Sequence, residues 1–379
     1  MGSYNFSRNN IKIIIIKMKI RELVLNDYKK IRHLVLKYGM NIQTSDNWKK
    51  TWTTNPQIKK GLKIPKGWVA IKHNKIIGVL ENFPKLFKVK KRLLKIACKS
   101  TWVVEKKYRS YSMLLLNKYF NQKNVDLFLC TTANFNVNKI MTAKGAYENP
   151  TKSCSEVEFI ILNTYKIIKA FFIKKKITRF NFLIQAINFL FNIFFYRKLN
   201  LKNILKVKKK YKIVNFCDKE SVSFLTKNYF YKNKAGEFRD KTWLNWNLNI
   251  RRYNKEIWTI KAYHKNKLSG CCICIGETDQ KLKVKRVFLV NIRVLNVKNE
   301  IFDDLIKICI LEAKNRNYDI LEFKNLNEVL KKKMLKYNFL KRKFINNPYL
   351  FKFKNNKFNL FCKNKKIWET SLLDGDILF

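Results

Sequence analysis

Trp102-Val103-Val104-Glu105-Lys106-Lys107-Tyr108-Arg109-Ser110-Tyr111-Ser112-Met113-Leu114-Leu115-Leu116 is the stretch that decides the fold. An apolar, β-like run ends in a basic turn, and the turn opens directly into an amphipathic helix. That order aims first-turn backbone N–H groups and the positive end of a helix dipole at one point, where a phosphate is the natural occupant. Ser110 and Ser112 also suit a plainer role as helix caps, which is compatible with the first. Downstream, the apolar strand Val125-Asp126-Leu127-Phe128-Leu129-Cys130 runs through Thr131-Thr132-Ala133-Asn134 into a helix that ends at Lys144-Gly145-Ala146.

These two pieces, in that order, resemble the acyl-CoA-binding core of the GNAT (GCN5-related N-acetyltransferase) acyltransferase superfamily. The family loop usually reads Arg-Gly-x-Gly-x-Gly/Ala after a Val-x-Pro-x-Tyr lead-in. Its next strand ends at an Asn that starts a helix closing on Gly-Phe. Tyr108-Arg109 matches the lead-in, and Gly145 lies eleven positions after Asn134, the family's register. Ser110 and Ser112 replace loop glycines, whose missing Cβ lets the backbone approach a pyrophosphate. Met141 stands where many members carry a Tyr that protonates the departing thiolate.

The resemblance implies an acetyl-CoA or other acyl-CoA substrate and transfer of the acyl group to an amine or hydroxyl acceptor in a ternary complex. Val103 and Val104 would pair with the pantetheine arm. Arg109, Ser110, Tyr111, Ser112, Met113 and Leu114 would hold the pyrophosphate. Asn134 would bind the pantetheine or simply cap its helix. The acceptor needs a base, and Glu81, at the end of a hairpin, is the best carboxylate on offer, a solvated strand-end Glu being the bland alternative. Cys130 and Thr132 sit where two parallel-type strands would splay, within reach of a thioester, although a core thiol is the bland reading of Cys130. Glu105 belongs to the outer turn.

The surrounding pattern predicts an α/β fold with a mixed sheet. Ile20–Leu25 reads as a strand, followed by a helix through Tyr38. Trp48 to Pro65 reads as an irregular cover over the cleft. Trp68–Lys72 and Ile76–Glu81 form a hairpin across His73-Asn74-Lys75. Ile96–Val104, Met113–Asn121, Val125–Cys130 and Asn136–Lys144 follow as strand, helix, strand and helix, with Val157–Leu162 as a closing strand.

The second half repeats this plan, with a hairpin of Glu256–Tyr263 and Lys267–Ile275 across His264-Lys265-Asn266. Asn327, Met334 and Asn338-Phe339 fall on the spacing of Asn134, Met141 and Gly145-Ala146, which internal duplication explains. This copy lacks the Tyr-Arg-Ser turn, since Val294 to Lys298 offers neither the Arg nor a small-residue loop. It reads as a degenerate copy shaping the acceptor site or an interface, similar in architecture to tandem-GNAT aminoacyl transferases of the Fem type. The expected organisation is an extension at 1–17, an acyl-CoA-binding domain at 18–165, a helical connector at 166–210 and the degenerate domain at 211–379.

Lys and Arg total 81 against 26 Asp and Glu, a net charge of +55. The excess is mostly Lys, spread along the chain with Asn, Ile, Phe and Tyr, as a strongly A/T-biased coding sequence would produce. No specific nucleic acid is expected, and a polyanion-binding protein is supported only by charge. A non-catalytic binding or scaffold protein on decayed GNAT domains is the other rival, favoured by the lost glycines and Tyr.

Nine cysteines and three histidines form no metal-ligand spacing, so no metal is expected. Buried thiols in a reducing cytoplasm are the expectation for Cys98, Cys130, Cys309 and the Cys271-Cys272-Ile273-Cys274 cluster. Phe180–Tyr196 is apolar almost all round with basic flanks. It reads either as a buried connecting helix or as a helix lying at the inner face of a membrane, where the acceptor would be an envelope glycan or lipid-linked. The acidic tail Trp368 to Asp376 reads as docking on a basic surface, or as a metal or acceptor contact.

Overall fold

The computed structural model describes residues 18–151, 156–176, 181–198, 210–227, 234–252, 255–295, 299–324, 328–334, 337, 339–343 and 348–375. The first half carries β1 (Lys19–Glu22), α1 (Tyr28–Lys37), α2 (Ser45–Thr53), α3 (Pro56–Lys59), β2 (Gly67–Lys72), β3 (Lys75–Val89) and β4 (Arg92–Val104). There follow α4 (Ser112–Phe120), β5 (Leu127–Cys130), α5 (Phe135–Ala143), β6 (Tyr147–Glu148) and β7 (Glu156–Ile161). Two linked helices, α6 (Thr164–Lys174) and α7 (Asn181–Lys198), lead to the second half. It holds β8 (Tyr211–Asn215), α8 (Lys219–Leu225), β9 (Ala235–Glu237), α9 (Lys241–Arg252), β10 (Glu256–His264), β11 (Lys267–Asp279) and β12 (Val284–Val294). The chain closes with α10 (Asn299–Asn315), β13 (Ile320–Lys324), α11 (Glu328–Met334), β14 (Leu340–Lys343), β15 (Leu350–Phe353) and α12 (Asn359–Cys362).

Backbone sterics repeat between the halves. His73 and Asn74 both take positive φ, 48° and 58°, and so do Lys265 and Asn266, at 49° and 58°. A two-residue turn of that handedness matches the right-handed twist of the strands it joins. The pairing repeats as well. Ala70 faces Gly78, which faces Val104, just as Ala262 faces Gly270, which faces Val294. In both copies a bulge follows on the third strand of the meander, and the fourth strand is parallel: β4 with β5, and β12 with β13.

The strands form two mixed sheets, β1-β2-β3-β4-β5-β15-β6 and β14-β7-β13-β12-β11-β10-β8, with β9 joined to the far end of β3. Here the expectation for Val157–Leu162 needs correction. That strand does not close the first sheet. As β7 it inserts into the second, between β13 and β14, with Phe159 opposite both Glu322 and Leu340. β15 makes the reciprocal move and inserts between β5 and β6. Two duplicated sheets offer equivalent slots, and a strand's period-2 pattern fixes which face it buries, not which copy it joins.

Two further expectations change. Trp48 to Pro65 is helical as far as Lys59 and irregular beyond it: α2 covers Ser45–Thr53, and Asn55 caps α3 by accepting from the Gln57 amide at 2.9 Å, with Pro56 at the first helical position. The connector helix α7 is not enclosed between the sheets. It packs on α6 and buries Ile184, while Phe182 and Phe189 are 83% and 67% exposed. Phe180 lies outside the described residues, as do Asn327, Asn338 and the loop 296–298.

Candidate functional site

β4 and β5 run parallel from Ile96/Leu127 to Lys99/Cys130, where their pairing ends. Just beyond, β4 bulges: Leu80 faces Trp102, but Asn82 faces Lys99. A bulge bends its strand and raises the local twist. β4 therefore turns away from β5 and continues to Val104 along β3 alone, leaving a wedge between the two strands. Val103 and Val104 form the last pairs of that stretch, and both are buried.

The turn at the wedge's mouth, Lys106–Tyr111, is two 3₁₀ turns kinked at Tyr108 that lead directly into α4. No residue of this turn has positive φ, so it has no conformational need for glycine, and Ser110 and Ser112 fit without strain. Neither serine is the N-cap. Tyr111 holds that position without a side-chain cap, and the Ser112 amide donates to the Arg109 carbonyl. Lys106, Lys107, Arg109 and Ser110 are exposed, as is Leu114, while Tyr111, Ser112 and Met113 are half-buried. Tyr108 supports the cluster: its ring lies 5.2 Å from Lys72 Nζ and 4.9 Å from Lys107 Nζ. The Tyr38 hydroxyl fixes the turn's start by accepting from the Lys106 amide at 2.7 Å. The result is an exposed cationic turn at a helix start, chemically suited to a pyrophosphate.

Asn134 acts as a cap, its Oδ1 accepting from the Val137 amide at 2.9 Å. Met141 is wholly buried with Ala133, Cys130 and Leu350. Cys130 is also wholly buried in this cluster. Its backbone ends the β5 ladder at the wedge, while its thiol belongs to the core. Thr132 is exposed in the loop after β5.

Glu81 is only 3% exposed, not solvated, and Trp48 Nε1 donates to its Oε1 at 2.7 Å. It begins a row. Alternate residues of a strand share a face, and on β3 the residues 81, 83, 85 and 87 each meet a tryptophan. Trp48 binds Glu81; Trp52 stacks on Phe83 with centroids 4.7 Å apart; Lys85 Nζ lies 5.4 Å from the Trp243 ring; Phe87 meets Trp368 edge-on at 5.8 Å. The first two tryptophans come from α2, and the last two from the second half and the tail. The cover over the first sheet is thus built by both halves, clipped together where Trp246 Nε1 donates to Thr54 Oγ1 at 3.0 Å and Lys60 pairs with Asp240 at 2.8 Å.

The acidic tail docks as charge predicts. Asp374 pairs with Arg239, and Glu369 with Arg293 at 3.3 Å. Lys85, wholly buried, pairs with Glu237 at 2.9 Å and donates to the Gly375 carbonyl at 2.7 Å. Burial pushes the Glu237 carboxyl up, against the pull of Lys85. Gly375 has φ +61°, and a Cβ there would lie 2.0 Å from Thr131 Oγ1. The tail therefore reaches the loop that leaves β5. Asp376 lies outside the described residues.

Sequence reading missed Lys99. It ends the parallel ladder, is 4% exposed, and donates to the Ser100 carbonyl at 2.8 Å. A lysine inside the apolar run Ile96-Ala97-Cys98 was the available signal. Trp48 gave none, since 33 residues separate it from Glu81. Among the described residues the group able to hold a metal is Cys272, Cys274 and Cys309, with Cys309 Sγ 3.4 Å and 3.8 Å from the other two. These sulfurs sit in the apolar core of the second sheet with Trp258, Ile260 and Phe302, and burial holds the Cys272 thiol well above its usual range. They lie apart from the wedge. The eight described cysteines are all buried.

No family model matches the sequence, and no curated protein matches it. The fold does have solved relatives. A GCN5-related N-acetyltransferase from Anabaena variabilis superposes with a TM-score of 0.55 at 10% identity, over 89% of this chain and 73% of its own. A probable N-acyltransferase from Enterococcus faecalis gives 0.55 at 12% identity, over 89% and 72%. Saccharomyces cerevisiae N-myristoyltransferase with bound myristoyl-CoA gives 0.51 at 12% identity, over 88% and 78%. With its bulged fourth strand, parallel fifth strand and their repetition, the chain has the fold of the GCN5-related N-acetyltransferases, in two tandem copies that exchange their last strands.

Proposed function

We propose that the protein transfers an acyl group from an acyl-CoA to an amine or hydroxyl acceptor, both bound together, using the first copy only. The wedge between β4 and β5, opening onto the cationic turn at Lys106–Leu114, carries this reading. The pyrophosphate is held by Arg109 and the start of α4, and the pantetheine arm lies along Val103 and Val104. The solved relatives support an acyl-CoA substrate, one of them holding myristoyl-CoA.

Glu81 takes the acceptor's proton. The Trp48 indole orients its carboxylate by donating to Oε1 at 2.7 Å, and the proton passes to it directly or through a bridging water. With Met141 in the core, the departing thiolate takes its proton from water. This activity implies a cytoplasmic location, where acyl-CoA is available. Release of free CoA thiol from acyl-CoAs of increasing chain length, with a panel of amines and alcohols, tests the reading. Acceptor-dependent release is expected. CoA binding in calorimetry with no release in any combination would favour a binding protein, and neither binding nor release would refute the site.

A further inference from the structure

α7 is amphipathic in the wrong sense for a helix on a water-facing surface. At about 100° per residue, Phe182, Leu183, Phe189, Leu190 and Ile193 fall in one sector, while Asn188 and Asn192 fall on the opposite side. The structure turns the asparagines inward, where the Thr164 hydroxyl of α6 donates to Asn192 Oδ1 at 2.7 Å and also contacts Asn188. It turns the apolar sector outward: besides the two phenylalanines already named, Leu190 is 54% exposed, and Leu183 and Ile193 are exposed too. Phe171 and Ile173 of α6 add to the surface. A soluble helix does the reverse, and contiguous exposed apolar surface on this scale marks a contact site.

Charge identifies the occupant. Between Glu158 and Asp218 the sequence carries fourteen Lys and Arg and no Asp or Glu. Lys169, Lys174, Lys175 and Lys176 are exposed on α6 and at its end, beside the apolar sector. Outward phenylalanines bordered by unopposed lysines suit acyl chains beneath anionic headgroups. A helix of this kind lies in the interface rather than crossing it, and no described helix is long and apolar enough to span a bilayer.

We propose that the α6–α7 hairpin seats the protein on an anionic phospholipid surface, with Phe182, Phe189 and Leu190 inserted among the acyl chains. The test is flotation of the full chain with phosphatidylcholine vesicles, alone or doped with phosphatidylglycerol. The expected result is recovery with the doped vesicles only. Combined Phe182→Ser, Phe189→Ser and Leu190→Ser should lower it on the order of tenfold or more, with an unchanged melting temperature because those side chains are exposed. Lys174→Gln, Lys175→Gln and Lys176→Gln together should weaken binding and its salt dependence. Equal recovery without vesicles, or serine variants that bind like the parent, would overturn the proposal. So would a parent dimer that the serine variants convert to monomer, since a second copy would then cover the surface.

Discussion

The two copies repeat the same strand registers and differ in the side chains around the bulge. Their registers equate Glu81 with Ile273, Lys99 with Leu289, and Cys130 with Phe323. In the second copy all three positions are apolar and buried, Ile273 in the cluster on one face of the sheet and Leu289 and Phe323 in the cluster on the other. A bulge and a parallel neighbour therefore create a place for chemistry without supplying any. The polar groups that could act were kept, or acquired, in one copy only, and the other copy contributes Trp243, Glu237 and the tail to the cover over the first.

The largest expected difference in CoA affinity between the copies lies at the turn. Arg109→Glu should reduce CoA affinity on the order of 100-fold or more in calorimetry, since it removes a charge-assisted contact and adds a repulsion. Lys298→Glu in the second copy should leave affinity unchanged. Equal losses in both would mean that CoA binding is shared, and no loss with Arg109→Glu would move the pyrophosphate elsewhere.

Next come the wedge positions themselves. Glu81→Gln keeps an acceptor for the Trp48 indole while removing the base, so turnover should fall on the order of 10²–10⁴-fold with CoA affinity intact. The mirror change, Ile273→Glu, brings a carboxylate into an apolar core and should destabilise by about 3 kcal/mol or more. Thermal melts of both variants beside the rate measurement separate the outcomes. A Glu81→Gln variant that melts early but turns over normally would make Glu81 a structural residue.

Much of the fold was legible in the chain because hairpins and helix starts are local. His73-Asn74 and Lys265-Asn266 announced their turns, and Asn134 its cap, through residues that tolerate or make that geometry alone. What could not be read is non-local. Nothing in Glu156–Ile161 says which of two equivalent sheets it joins. The Glu81–Trp48 bond joins side chains from separate elements, so the sequence leaves a candidate base and a solvated strand-end Glu81 both open. The path of the serine turn is likewise invisible in sequence, and no residue of it takes positive φ.

A smaller effect tests how tightly the first copy is built where β2 begins, opposite Glu81. Gly67 has φ +137°, and a Cβ there would sit 2.3 Å from the Leu80 carbonyl oxygen. Its register equivalent is Thr259, which has a side chain of its own and faces Ile273 as Gly67 faces Glu81. Gly67→Ala should cost about 2–3 kcal/mol from strained backbone and close contact, lowering the melting temperature by roughly 4–12 °C. Thr259→Ala should cost about 1 kcal/mol or less. Equal costs would show that Gly67 is held no more tightly than Thr259.

The smallest effect compares the carboxylates that follow the first strand of each copy. Burial alone would raise Asp27, but Arg21 grips it with two bonds of 2.7 Å, and the Val24 amide adds a third at 3.0 Å, so the group sits below its usual range. Asp218 is likewise lowered against burial, by Lys261 at 2.6 Å and the Ser221 amide at 2.9 Å. A carboxylate whose folded pKa lies below its unfolded value stabilises fully above the unfolded value, near pH 4, and loses that contribution as pH falls through the folded one. Melting temperatures between pH 6 and pH 2 should therefore fall less steeply for Asp27→Asn and Asp218→Asn than for the parent, from lower starting points. The Asp218 side chain is 39% exposed against 6% for Asp27. Its contribution should therefore shrink markedly in molar salt while that of Asp27 persists, because exposed pairs are screened and buried ones much less so. If salt erased both equally, the Arg21–Asp27 clamp would be no more sheltered than its counterpart, and the first copy would have no tighter entry into its first helix.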